Sequence, residues 1–211
     1  MRIGTIASQK GGSGKTTLTA HLAVEAEHRK AGPVAVIATD PQGSLASWWN
    51  TREAPTPLFA AVTIAQLDTH LTQLRRQGIK LVLIDTPPQT MHTIEAANAV
   101  ADFVLIPARP SPHDLRAVAV VVEMVEQAKK PFCFVVNGAT PRTNIAKEAV
   151  GVLAEHGKVA PVTIHHRVDF AARMVDGHTV SELVPESRSA QEITLLWKYV
   201  SAQLRKYVKD E

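Results

Sequence analysis

The stretch Gln9-Lys10-Gly11-Gly12-Ser13-Gly14-Lys15-Thr16-Thr17 limits what this chain can fold into more than any other. Before it, Ile3-Gly4-Thr5-Ile6-Ala7 reads as a short, largely apolar strand. After it, Leu18, Leu22 and Ala26 recur every four residues, the core-facing stripe of a helix. Strand, glycine loop and helix in that order make a phosphate cradle. Glycines at 11, 12 and 14 let backbone N–H groups from Gly11 to Thr17, Ser13 included, curl around an anion, and the helix N-terminus adds its dipole. In such a loop Lys15 reaches the β- and γ-phosphates of a nucleotide, and the Thr16 hydroxyl ligates Mg²⁺.

The usual spacing G-x-x-x-x-G-K-[ST] requires glycine at position 9, where this chain has Gln9. The pattern that fits is K-G-G-x-G-K-T-T, in which a second lysine, Lys10, opens the loop.

The rest of the chain supplies the sheet. Residues 33–38, 81–84, 103–106, 132–136 and 159–164 are continuous apolar runs, the mark of strands covered on both faces and hence of a parallel sheet. Helical stripes lie between them, one formed by Ile64, Leu67, Leu71 and Leu74 and another by Leu115, Val118, Val122 and Val125. Strand and helix alternating through right-handed crossovers give an α/β fold, a doubly wound and mainly parallel sheet flanked by helices. Proline-marked loops at 52–57, 86–89 and 110–112 are all too short to link domains, so residues 1–211 read as a single domain. Trp48 and Trp49 fall in a short helix after the second strand and read as packing residues.

Ligands in such folds sit beyond the C-terminal strand ends. Two acidic loops stand there: Thr39-Asp40-Pro41-Gln42-Gly43-Ser44 and Asp85-Thr86-Pro87-Pro88. Asp85 closes an apolar strand in the arrangement that holds Mg²⁺ beside a phosphate-binding threonine.

With these motifs in order, the chain resembles the ParA/MinD superfamily of deviant P-loop ATPases, from residue 3 to about 205. The resemblance implies ATP and Mg²⁺ as cofactors, hydrolysis that is weak alone and stimulated by partner and DNA, and a homodimer in the ATP state. It implies that Lys10 crosses to the nucleotide of the partner subunit, and that Lys10, Lys15 and Asp40 carry catalysis. Asp40, in D-P-Q-G-S, resembles the residue that positions the attacking water, and with Thr16 and Asp85 it belongs to the Mg²⁺ set. Asn137, closing Phe134-Val135-Val136, resembles the asparagine that reads the adenine edge. The segment Ile164-His165-His166-Arg167, with residues 177–182, resembles the tail segment of ParA-type ATPases, whose positions are structural or close to DNA.

Composition narrows the branch. Cys133 is the one cysteine, so no intrachain disulfide forms and the cysteine-held iron–sulfur cluster of the nitrogenase iron proteins is disfavoured. The nine histidines show no metal-ligand spacing. No run approaches the roughly 18 apolar residues of a membrane span, and the N-terminus runs straight into a strand, so a cytoplasmic protein is expected, and the resemblance to partition ATPases implies nucleoid association.

The formal net charge is +3. The segment 188–209 carries Arg188, Lys198, Arg205, Lys206 and Lys209 against Glu192. Its residues Ile193, Leu196, Trp197, Val200, Leu204 and Val208 share one helical face, so the basic side chains point outward. Lys198, Arg205, Lys206 and Lys209 are therefore the expected contacts to non-specific DNA, and the resemblance of the tail segment adds Arg167. The closest resemblance is to short ParA/ParF-type partition ATPases, which implies a centromere-binding adaptor and makes a membrane partner unlikely. A MinD-like membrane-positioning ATPase and a nucleoid-based ATPase that positions a protein cargo stay open.

Overall fold

The computed structural model describes residues 1–40, 43–88 and 91–207. Seven strands form one sheet: β1 (Arg2–Ile6), β2 (Val34–Ala38), β3 (Leu58–Ala61), β4 (Leu81–Asp85), β5 (Phe103–Ala108), β6 (Phe132–Ala139) and β7 (Ile164–His165). Their order is β3-β2-β4-β1-β5-β6-β7, and every pairing among the described residues is parallel. The helices are α1 (Lys15–His28), α2 (Ser44–Thr51), α3 (Leu67–Arg76), α4 (Met91–Val100), α5 (Pro112–Gln127), α6 (Ile145–Ala154), α7 (Val168–Val175), α8 (Val180–Leu183) and α9 (Arg188–Tyr207).

The apolar runs are continuous because each strand is buried twice. Leu81 and Leu83 face the layer of α1, α2 and α7 to α9, while Val82 and Ile84 face the opposite layer. β5 and β6 repeat the alternation, with Leu105 and Val135 on the first face and Ile106 and Val136 on the second. This parity matters at the site. Asp85 and Asn137 share the parity of Leu83 and Val135, so both strand ends aim at the layer that contains α1.

The stripe Leu18, Leu22, Ala26 understates α1. Residues Leu18 to Ala26 are buried without a break, because α8 and α9 close over the side of the helix turned away from the sheet. Polar His21 and Glu25 are thereby buried as well. Glu25 is satisfied by Arg29 at 2.8 Å and by the Thr194 hydroxyl of α9 at 2.8 Å. α9 docks through Ile193, Leu196, Trp197, Val200 and Leu204, all buried, each contributing about 1.5–3 kcal/mol of apolar burial.

One expectation shifts, and two elements were not foreseen. The run 159–164 is a strand only at Ile164–His165, preceded by a single bridge from Val159 to Phe134, because Pro161 interrupts the ladder. Edge strand β3 is only four residues long and partly exposed, and helix α4 buries polar Thr93 and Asn98 beside Ile94 and Ala97, so neither stands out by period alone. Trp48 is buried and Trp49 stacks on Phe59 with ring centroids 5.8 Å apart, so both tryptophans pack against the body.

A buried joint ties α2 to the turn before α8. The Arg52 guanidinium pairs with Glu182 at 2.6 Å, donates to the Gly177 carbonyl at 2.8 Å and lies over the Trp48 ring at 5.2 Å.

Candidate functional site

The loops following β1, β2, β4 and β5 line one cleft of about 890 Å³ together with α2 and α7. Its floor is the glycine loop. Gly12 and Gly14 adopt left-handed backbone, with φ of +73° and +91°, and a Cβ on Gly14 would overlap the Asn137 amide. Gly14 also occupies the position before α1 where a side chain would cap the helix, and no side-chain cap is present. The first-turn N–H groups of α1 are thus open toward the loop, as anion binding requires.

Lys15 is nearly buried, and its ammonium donates to the Lys10 carbonyl at 3.1 Å. Burial pushes its pKa below the usual lysine value, and the nearby Asp85 carboxylate opposes that shift. Lys10 itself is exposed at the loop entrance.

The Thr16 hydroxyl donates to Asp85 Oδ2 at 2.7 Å. Asp85 is 8% exposed, and its other oxygen, Oδ1, is buried with no hydrogen-bond partner among the described residues. Burial pushes the Asp85 carboxyl up to about 6, with Asp40 adding in the same direction while Thr16 and Lys15 pull it down. A buried carboxylate with one unsatisfied oxygen beside a threonine hydroxyl suits a hard divalent cation. No cluster of three or more His, Cys, Asp or Glu occurs among the described residues. That agrees with Mg²⁺, which takes few protein ligands and completes its shell with water and phosphate.

Asp40 is exposed, just beyond β2. Its carbonyl accepts from Gly43 N–H at 3.0 Å, closing the turn, and its neighbour Thr39 donates its hydroxyl to the Asp85 carbonyl at 2.9 Å. The two acidic loops are therefore tied together at their roots. Pro41, Gln42 and Gln89 of these loops lie outside the described residues.

Asn137, expected to read the adenine edge, stands behind the glycine loop. Its Nδ2 donates to the Ser13 carbonyl at 2.6 Å, so in this structure it braces the glycine loop from behind. The β6 register that aims it toward α1 also brings it under Gly14. Arg109, just past β5, lines the cleft but was not singled out by the sequence; its one signal there is a cation directly after an apolar strand.

The expected DNA contacts separate into three groups. Lys198, Arg205 and Lys206 are exposed on α9, away from the residues lining the cleft. Arg167 is held by Glu192 at 2.6 Å, and the same carboxylate takes the His165 ring nitrogen at 2.8 Å, so this arginine is a structural tie between α9 and the segment after β7. Lys209, with Val208, lies outside the described residues. Arg29, at the end of α1, lines a shallow groove with Lys198 and Arg205 and adds a cation that the sequence had not grouped with them.

Comparison with known proteins agrees with this architecture. The chain is 29% identical over 196 residues to "Maintenance of carboxysome distribution protein A" of Halothiobacillus neapolitanus, covering 89% of this chain and 90% of that protein. It is 26% identical to the "Chromosome-partitioning ATPase Soj" of Thermus thermophilus, covering 95% of each. Among solved structures, the septum site-determining protein MinD complexed with Mg-ADP from Pyrococcus horikoshii superposes with a TM-score of 0.78 at 18% identity, covering 99% of each chain. The apo McdA structure from Cyanothece gives a TM-score of 0.78 at 17% identity, over 97% of this chain and 99% of that one. The family described as the CobQ/CobB/MinD/ParA nucleotide binding domain matches residues 5–180. With its glycine loop, strand-end aspartate and all-parallel sheet, the chain belongs to that nucleotide-binding family.

Proposed function

We propose that this chain is a ParA-type ATPase that binds ATP and Mg²⁺, dimerises in the ATP state and uses non-specific DNA as the surface on which a cargo is positioned. The observation that carries the reading is the Lys15, Thr16 and Asp85 constellation with an exposed Lys10 at the loop entrance. Lys15 and the N-terminus of α1 hold the phosphates, Thr16 and Asp85 hold the metal, and Asp40 orients the attacking water. Phosphoryl transfer needs little beyond such positioning and charge stabilisation. Mg²⁺ held by Thr16 and Asp85 would offset the charge that develops on the phosphate. Lys10 reaches the neighbouring subunit's nucleotide, which makes dimerisation depend on the terminal phosphate.

DNA segregation through a centromere-binding adaptor is the first assignment of cargo. The similarity to a carboxysome distribution protein over nine-tenths of its length favours a second, a protein body moved along the nucleoid. Exposed Lys198, Arg205 and Lys206 support DNA as the common surface. A dimer doubles that patch, so contacts too weak in one subunit become effective together.

Co-sedimentation with DNA and with anionic liposomes, each in ATP and in ADP, tests the reading. The expected result is ATP-dependent DNA binding that weakens steeply with salt. Binding to liposomes and not to DNA replaces it with a membrane-positioning ATPase.

A further inference from the structure

Arg109 is the cation in the cleft that the phosphate loop does not explain. It is exposed at the end of β5, and its side chain lies across the glycine loop toward β6. Its Nη2 is 4.0 Å from where a Cβ of Gly12 would stand, and its Nε is 3.6 Å from the corresponding point at Gly138, beside Asn137. Both neighbours are glycines, so neither puts a side chain against the guanidinium. The Arg109 carbonyl accepts from Ser111 N–H at 2.8 Å, but no hydrogen bond or ion pair engages its guanidinium among the described residues.

That placement is electrostatically unfavourable in the protein alone. The same few residues already hold Lys10, Lys15 and the positive end of α1, and an arginine with no carboxylate partner adds a like charge to them. An anion in the cradle adds an attraction to each of these positive groups that offsets their mutual repulsion. A planar guanidinium is also the side chain best matched to two phosphate oxygens at once.

We infer that Arg109 binds the phosphate chain of the nucleotide held by its own subunit, closing the cradle from the β5 side opposite Lys15. The inference rests on the cleft being the nucleotide site. It adds a direct contact from an element outside the glycine loop, the two acidic loops and Asn137. Because β5 and β1 are paired neighbours, from Gly4 and Phe103 to Ile6 and Leu105, the contact is carried on a rigid part of the sheet.

Calorimetric titration with ADP in Mg²⁺ tests it, ADP being used so that ATP-driven dimerisation does not enter. Arg109→Ala should weaken ADP about tenfold or more, in line with loss of one charge-assisted hydrogen bond. Arg109→Lys should recover part of the loss and Arg109→Gln little of it, while adenosine, without phosphate, should not distinguish the variants. Far-ultraviolet circular dichroism confirms that each variant is folded. Lys15→Ala, titrated alongside, tests the nucleotide site itself: if it binds ADP normally, the cleft assignment fails. If Lys15→Ala loses ADP while Arg109→Ala keeps wild-type affinity, the cleft stands and the role of Arg109 is overturned. An Arg109→Ala variant with normal ADP affinity that fails only to dimerise in ATP overturns it equally, since the arginine then acts across the subunit interface.

Discussion

The Thr16 hydroxyl and the Asp85 carboxylate meet at 2.7 Å although 69 positions separate them in the chain. The hydrogen bond satisfies one carboxylate oxygen and leaves the other buried and unpartnered, so without metal the charge at the centre of the site is offset only in part, by Thr16 and Lys15. Asp85→Asn removes that charge. The expected outcome is a variant whose nucleotide affinity no longer responds to Mg²⁺, but whose melting temperature in chelator is no lower than wild type. Parallel titrations and melts with and without Mg²⁺ check both halves. A marked drop in metal-free stability would mean that Asp85 serves chiefly as a structural acceptor.

Hydrolysis and dimerisation separate between Asp40 and Lys10. Asp40→Ala leaves the cradle, Lys15, Thr16 and Asp85 intact, so it should bind Mg²⁺ and ATP while hydrolysing at least about a hundredfold more slowly, the scale of a lost positioning or general-base group. In that background ATP should hold a dimer visible by light scattering, and adding Lys10→Ala should return it to monomer. An equally dimeric double variant removes the trans role of Lys10.

Acid should weaken the fold through His21. This residue is fully buried in α1. Its Nδ1–H donates to the Thr17 carbonyl at 2.8 Å, its Nε2 has no partner among the described residues, and its ring meets the edge of Phe170. Burial lowers its pKa to about 4, with the Thr17 carbonyl and the Glu182 carboxylate opposing. The unfolded chain takes up the proton near pH 6.5 and the folded one only near 4, so stability declines as pH falls between those values. The total is about 3 kcal/mol at 1.36 kcal/mol per pH unit. Glu25 and Glu182, held below the ordinary carboxylate range, add their own losses only at lower pH. Urea unfolding across this range should show the decline in wild type and a flatter profile in His21→Leu. An unchanged slope in the variant would assign the acid sensitivity elsewhere.

The basic residues should divide by what holds them. Neutralising Arg205 and Lys206, both exposed, should weaken DNA binding evenly across sequences and reduce the salt slope by about one for each cation removed. Stability should stay within about 0.5 kcal/mol. Arg167→Ala should do the reverse. It leaves Glu192 half-buried without its arginine and costs about 2 kcal/mol of stability, while the salt slope of DNA binding stays unchanged. Electrophoretic mobility at several salt concentrations and urea unfolding distinguish the two patterns.

The site was legible in the sequence where function needs a fixed spacing and a particular residue type. Glycines at 12 and 14, the lysine and threonine after them, and an aspartate ending an apolar strand are all local patterns. Asn137 and Arg167 show where that legibility stops. Whether an amide faces a ligand or a neighbouring carbonyl depends on which loop lies above its strand end, and whether an arginine is available depends on a glutamate 25 residues away. The fold followed the same rule. Strands β1, β2, β4, β5 and β6 are central and uniformly apolar and therefore stood out, whereas edge strand β3 is half-exposed and β7 is cut short by Pro161, leaving little pattern to read. Burial of α1 on every side, and with it His21 and Glu25, came from helices that follow more than 150 residues later.

The closing of α9 over α1 has a consequence for how the protein is made. The Thr194 hydroxyl reaches Glu25 across 169 positions, so the helix that begins in the phosphate loop is covered by a helix synthesised long after it. Until then the apolar outer side of α1 and the Glu25 carboxylate lie uncovered, and the sheet beneath consists of parallel pairings that no short hairpin can nucleate. A nascent chain stalled before residue 188 therefore presents the complete phosphate motif on an unfinished support. Synthesis of the nucleotide site begins with α1, but its assembly waits for α9.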